Sequence, residues 1–379
     1  MIDYATLKLI WLWVIGLLCV GFAITGGSDL GVCALIPWIG KNDSERSQLL
    51  ESIGPTWEGN QVWLVTAAAA LFAAWPLMYA ASFSSFYLAF LLVLLALILR
   101  PPGIDYRNKL SNPLWRKSWD ICLFISGFVP CLLFGVALGN LLRGLPFFYD
   151  QNLMPHPTGT FFNLLDPYAL VCGFLSLSLL LLQACLFIQC KTLSVLRDRA
   201  LRTAYLAGSL FILSFCLAWL GALFYIDGYQ VMAMGDPNQA LIPTAKTVIK
   251  GQGLWFKHYQ QDPRGYLGPF LSILSVGIAL QFARRQRPKT ALVCNSVAIA
   301  SVLFTLGFTL YPFVMPSMSV PNHSLTLWDA SASRLSLGWM LVAVLLFLPI
   351  VLGYTIWAFR IMRGTVSASI GSKNDSSYH

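Results

Sequence analysis

The sequence predicts an all-α integral membrane protein of nine transmembrane helices. Of its 379 residues, 57% are hydrophobic and only 11% are charged, whereas soluble domains carry about 25% charged residues. The mean hydropathy is +0.68. Several apolar runs approach or exceed the ~20 residues that cross a bilayer core. Helices are the expected form, because backbone groups in lipid must bond within their own segment.

The first span covers roughly 7–27 and reaches toward 38. It follows "MIDYATLKLIWLW", which lacks a small-residue cleavage site and reads as a retained helix rather than a cleaved signal. The second, about 60–79, opens after "IGPTWEGN", where Pro55 and Gly59 mark a helix start. The third, about 82–99, ends at Arg100, and the fourth, about 119–141, begins beside Asp120. The remaining spans are roughly 168–190, 204–225, 266–283, 291–312 and 336–359. Residues 1–363 thus form a single polytopic domain, and 364–379 form a polar cytoplasmic tail. Eight of the nine spans can be grouped as two four-helix sets.

Charge sets the orientation. Basic residues cluster in 100–117 (Arg100, Arg107, Lys109, Arg116, Lys117), 191–202 (Lys191, Arg197, Arg199, Arg202) and 284–289 (Arg284, Arg285, Arg287, Lys289). Loops 142–167 and 313–335 hold one arginine each, Arg143 and Arg334, and 226–265 spreads four basic residues over about forty positions. The positive-inside rule places the N-terminus outside and the C-terminus inside. The same distribution turns the net charge of +9 away from nucleic acid. The outer loops are rich in aromatics, Pro and Met, as interfacial anchors or as a packed cap. Nine cysteines without a CxxC pair read as membrane-buried hydrophobes, not as a zinc site.

Ionisable residues in a span are costly and point to function. The candidates are Asp29 in "GGSD", Glu58 in "TWEGNQVW", Arg100, then Asp105 and Lys109 in "RPPGIDYRNK", and Asp120 in "WRKSWDICLF". Glu58 in a first turn gains from the helix dipole. The alternative is a proton-carrying carboxylate, with Trp57 and Trp63 drying it and Asn60 and Gln61 extending a hydrogen-bonded path. Asp29 either caps a helix broken at the glycines or pairs inside the bundle. Arg100 either snorkels at the membrane edge or holds an acid charged. Asp105 and Lys109, four apart, form an exposed helical pair of small worth or a proton funnel. The four histidines, His156, His258, His323 and His379, all fall in predicted loops or the tail. No haem ligated by this chain is expected, and no phosphate-binding or HExxH motif is present.

"GGSDLG", "WEGNQVWL…ALFAAWP", "YAASFSSFYLAFLLVLLALILRPPGIDYRNK" and "YPFVMP…SLTLWDASAS" together resemble subunit II of the cytochrome bd-type quinol oxidases, nearly end to end. The resemblance implies two four-helix bundles plus one peripheral helix. It also implies a subunit I partner that carries two b-type haems and haem d and oxidises quinol while dioxygen is reduced to water. The chain itself is then a haem-free support that contributes to a proton path from the cytoplasm. In the family that path involves an acid at the position of Glu58 and polar groups at those of Asp105 and Lys109; Arg100 and Asp29 also match family positions. Some members hold a structural quinone in subunit II, and membrane lipid and small single-helix accessory subunits are further partners. Two departures stand out. Many members have an acid where Gly26 stands, and the acid at 58 is often Asp. Rival readings are a stand-alone proton-coupled permease and a membrane scaffold.

Overall fold

Asp3 caps the first helix, its carboxylate accepting the Thr6 N–H at 3.2 Å. From there α1 runs unbroken from Tyr4 to Ile39, in a computed structural model that describes residues 2–193, 195–361 and 364. The predicted polar tail lies outside the described residues except for Gly364. The glycines of "GGSD" do not break α1. Gly27 and the nearby Gly31 let another helix approach: a Cβ on Gly31 would sit 2.7 Å from the Leu180 carbonyl oxygen, and one on Gly27 would sit 2.6 Å from the Leu180 side chain.

A short α2 (Asp43–Ile53), capped by Asn42, leads through Gly54 and Pro55 into α3 (Trp57–Ala74). The second predicted span is shorter than expected. Pro76 disfavours helical geometry in the residue before it, and Trp75 adopts φ −129° and ψ 68°. The chain bends by 119° into α4 (Pro76–Ser85). Next come α5 (Tyr87–Ile98), α6 (Arg100–Tyr106) and α7 (Pro113–Arg143), then a hairpin of β1 (Phe147–Tyr149) and β2 (Pro155–Pro157). Helices α8 (Pro167–Lys191) and α9 (Val195–Phe224) precede a second hairpin, β3 (Asp227–Ala233) with β4 (Thr247–Gln252), and α10 (Leu254–Gln261). After α11 (Leu267–Arg284) and α12 (Pro288–Leu310) come β5 (Phe313–Met315), β6 (Leu325–Thr326), α13 (Leu327–Ala330) and α14 (Arg334–Ile361).

Among the described residues, eight helices are long and apolar enough to cross a membrane, or nine if the bent α3–α4 pair is one span. The all-α expectation needs one correction: the loops hold three two-stranded antiparallel sheets. In the largest, Val231 faces Val248, residues whose branched side chains suit a pleated surface.

Helix α1 packs against α3, α7, α8 and α12; α5 packs on α7, α9 on α8 and α11 on α12. Helix α14 lies at the periphery against α1 and α3. The hairpins, α4, α10 and α13 gather at one end as a cap. The N-terminus belongs to it: Tyr4 Oη donates to Ala332 O at 2.7 Å, and buried Lys8 donates to the carbonyls of Pro237, Gln239 and Trp328. The basic turns gather at the other end. There Arg199 meets Glu45 at 2.6 Å, and Arg197 donates to Gln286 O at 3.3 Å. All nine cysteines are free.

Candidate functional site

Three helices converge inside the bundle. Asp29, 1% exposed, projects from the last third of α1, and Arg100, 2% exposed, opens α6. Between them stands the first part of α3. Asn60 Nδ2 donates to Asp29 Oδ2 at 2.8 Å, and the next residue accepts, through Gln61 Oε1, from Arg100 Nη2. The Arg100 guanidinium also lies 5.4 Å from the Trp57 ring centroid, a cation–π contact strengthened by burial. A buried acid and a buried base are thus joined through two neighbouring amides. Among the described residues, Asp29 Oδ1 and Arg100 Nε and Nη1 have no partner. Buried polar atoms without partners are uncommon and cost about 1–3 kcal/mol each.

Glu58 stands elsewhere. It is exposed, on a face of α3 that continues through Val62, Val65 and Phe72. Neither expected tryptophan encloses it within this chain: Trp57 lies over Arg100, and Trp63 is buried beside Gly21 of α1. Asp105 and Lys109 are both exposed. No ion pair joins them among the described residues, because α6 ends at Tyr106 and leaves Lys109 in the following turn.

Asp120 is buried near the start of α7, in a network that sequence reasoning missed. Its Oδ1 accepts from Arg107 Nε at 2.6 Å, and its Oδ2 accepts from Arg46 Nη1 at 2.7 Å. Arg107, 0% exposed, also reaches Asp43 Oδ1 at 2.9 Å, and Asp43 pairs with Arg116. The available signal was the acid-bearing "NDSER" at 42–46, between the first two spans and opposite the basic segment 100–117.

At the cap end, His156 pairs with Asp150 at 3.1 Å, His323 Nδ1 accepts the Tyr149 N–H at 3.0 Å, and His258 packs on Phe308 and Tyr311. None of these three projects from a membrane-spanning helix. Among the described residues, no group of three or more His, Cys, Asp or Glu is placed to hold a metal. An apolar cleft of about 440 Å³ opens between α1, α7, α8, α9 and α12, lined among others by Phe22, Phe134, Leu179, Phe215 and Leu303. Burial pushes the Asp329 carboxyl up and the Lys246 ammonium down, each opposed by the other's charge.

Fold and site together define a polytopic helical membrane protein with an acid–amide–guanidinium string buried in its bundle. The chain belongs to the cytochrome bd terminal oxidase subunit II family, which it matches over residues 7–362. It is 42% identical over 379 residues to probable cytochrome oxidase subunit 2 of Haemophilus influenzae, covering all of both chains. It is 41% identical, with the same full coverage, to cytochrome bd-I ubiquinol oxidase subunit 2 of Escherichia coli K12. Cytochrome bd ubiquinol oxidase subunit 2 of Bacillus subtilis is 29% identical over 364 residues, 96% of this chain and 98% of that one. The fold is similar to a chain in the structure of bd oxidase from Geobacillus thermodenitrificans, with a TM-score of 0.70, 16% identity and coverage of 94% and 98%.

Proposed function

We propose that this chain is the haem-free subunit II of a cytochrome bd-type quinol oxidase in a bacterial cytoplasmic membrane. It pairs with subunit I and supports that partner's two b-type haems and haem d. It also offers protons a route from the cytoplasm toward the site where quinol electrons reduce dioxygen to water. The haems supply electron transfer and oxygen chemistry from the partner. The described histidines of this chain do not fit haem ligation, since all lie in the cap. The basic end faces the cytoplasm and the cap faces outward, as the positive-inside rule requires.

The observation that carries this reading is the buried string Asp29–Asn60/Gln61–Arg100. Ionisable groups inside a membrane bundle are costly and are kept for function, and the unpartnered atoms on Asp29 and Arg100 offer the two to four polar contacts an ordered water needs. Protons enter past Asp105 and Lys109 at the basic end and pass Arg100, Gln61 and Asn60 to Asp29. Glu58 continues the route at the surface where the partner docks, because an exposed carboxylate among Val62, Val65 and Phe72 becomes enclosed only when another chain covers it. The apolar cleft suits the tail of a structural quinone, and lipid and single-helix accessory subunits cover the remaining apolar faces, α14 among them.

The test is oxygen consumption by the purified complex carrying Glu58→Gln or Asp29→Asn. The expected result is a haem spectrum like wild type and a turnover lower by about 10²-fold, the scale of losing a positioned proton-transfer group. Wild-type turnover at every pH in both variants sinks the proton route. Solute movement in liposomes by this chain without a haem-bearing partner would support a permease instead.

A further inference from the structure

We propose that Arg107 is the positioning residue of this site: with buried Asp120 and the more exposed Asp43 and Arg46 it forms an ionic clamp that fixes Arg100 against Gln61 and Trp57. The proposal rests on the proton-route reading and extends it to four side chains at the basic end.

Helix α6 is the last seven residues of an apolar span that continues α5 and runs from Tyr87 to Tyr106, so its far end is where the span is anchored. Pro101 and Pro102 contribute no N–H, and Gly103 is so close to α7 that a Cβ would sit 2.8 Å from Leu123. Arg100 opens this helix and Arg107 follows its last residue.

Arg107 is committed on every nitrogen. Nε donates to Asp120 Oδ1 at 2.6 Å, Nη1 to Asn108 Oδ1 at 2.9 Å and to Ser47 Oγ at 3.3 Å, and Nη2 to Asp43 Oδ1 at 2.9 Å. Asp120 lies on α7, and Asp43, Ser47 and Arg46 lie on α2. Helix α2 leads within four residues into α3, which carries Trp57, Asn60 and Gln61. The same side chains therefore fix both sides of the Arg100–Gln61 contact: the segment entering α3 and the segment leaving α6. A guanidinium suits this post because its planar fork reaches two carboxylates at once, which the point charge of a lysine ammonium does not.

The experiment uses the intact haem-bearing complex with Arg107→Lys, Asp43→Asn, Arg100→Gln and the double variants with Arg100→Gln. Oxygen consumption is measured across a pH series, and haem content from the absorption spectrum. The expected result for Arg107→Lys and Asp43→Asn is unchanged haem, turnover reduced about tenfold or more, as misplacement of a working group does, and a displaced pH profile. In the Arg100→Gln background neither substitution lowers turnover further, because each acts through Arg100. If Arg107→Lys does not assemble, Asp43→Asn, which leaves the Arg107–Asp120 pair in place, carries the same comparison. Wild-type turnover and pH profile in both clamp variants, with Arg100→Gln impaired, overturn the clamp and leave the route standing. Additive losses in the double variants also overturn the clamp. A neutral Arg100→Gln overturns route and clamp together.

Discussion

Replacing Lys246 with Met should loosen the cap, by an amount that depends on pH in a definite direction. Lys246 Nζ lies 2.8 Å from Asp329 Oδ2 and 2.5 Å from Pro243 O, with both ionised side chains buried. At that separation and an effective dielectric of ~20 the attraction is about 6 kcal/mol, much of it offset by the desolvation of both ions. Deleting one partner strands the other, at a cost of about 3–5 kcal/mol. The stranded Asp329 keeps its bonds from Thr326 Oγ1 at 2.5 Å and Thr326 N at 3.0 Å. It also has a second option, which is to take up a proton. Burial already raises its pKa above 3.8 with Lys246 beside it, and without the ammonium the rise is larger. In the window above 3.8 the folded variant then holds a proton that the unfolded chain has released, so its stability falls as pH rises. The loss relative to wild type should be full above the raised Asp329 pKa while Lys246 of the wild type is still charged, and should shrink toward acid. Thermal unfolding of the purified complex at two pH values, with protease cleavage of the 226–265 loop as a local readout, measures it. The double variant Lys246→Met/Asp329→Asn should regain most of the loss, since no lone ion remains. An equal loss at both pH values, or a double variant no better than the single, refutes the stranded-charge account.

Gly127→Ala should separate α1 from α7. The new Cβ would lie 2.2 Å from Leu30 O and 2.5 Å from Ala34 N, so backbone must move, at about 1–3 kcal/mol, read as a lower thermal midpoint of the complex. His323 should make the cap acid-sensitive: burial and then Lys246 hold its pKa below 6.5. The unfolded chain therefore binds the proton first, and stability falls as pH drops through 6.5. His323→Gln should flatten that acid limb in a protease-resistance profile. Ala218→Phe, which fills the apolar cleft, should lower the quinone extracted per haem from the purified complex, and an unchanged quinone content counts against a quinone in that cleft.

The legible part of this molecule is whatever membrane burial makes costly. Asp29 and Arg100 stand out in sequence because a charge among apolar residues must be explained, and both are buried in one site. Asn60 and Gln61 are visible in the same motif, but not that the first serves Asp29 and the second serves Arg100, because that depends on how α3 rotates between α1 and α6. Glu58 shows the limit most clearly. Trp57 and Trp63 flank it in the sequence, yet on a helix they sit about 100° and about 140° around the axis from it. The tryptophans pack inward while the carboxylate faces out. Likewise the glycines at 26 and 27 suggest a loosened backbone, but the small size of Gly27 serves packing against α8, while Gly26 makes room for Phe22 of the same helix. Helix α2 leaves little periodic trace, since tertiary contacts rather than propensity hold short helices, and the Arg107 clamp is hidden with it.

The two buried arginines show why one network is read as structure and the other as a route. Arg107 has a partner on every nitrogen, and a fully satisfied polar network rigidifies what surrounds it. Arg100, only seven positions earlier, leaves Nε and Nη1 without a partner among the described residues, and Asp29, joined to it through Asn60 and Gln61, has one oxygen likewise uncommitted. A chain selected for stability alone would complete or remove such groups, since local rules are broken mainly at functional sites. Proton passage requires the reverse of saturation: donors and acceptors must retain free valences that water can take up and release. In the proposed clamp, Arg107 supplies rigidity about two turns away, so that the uncommitted atoms can stay uncommitted without the bundle collapsing around them.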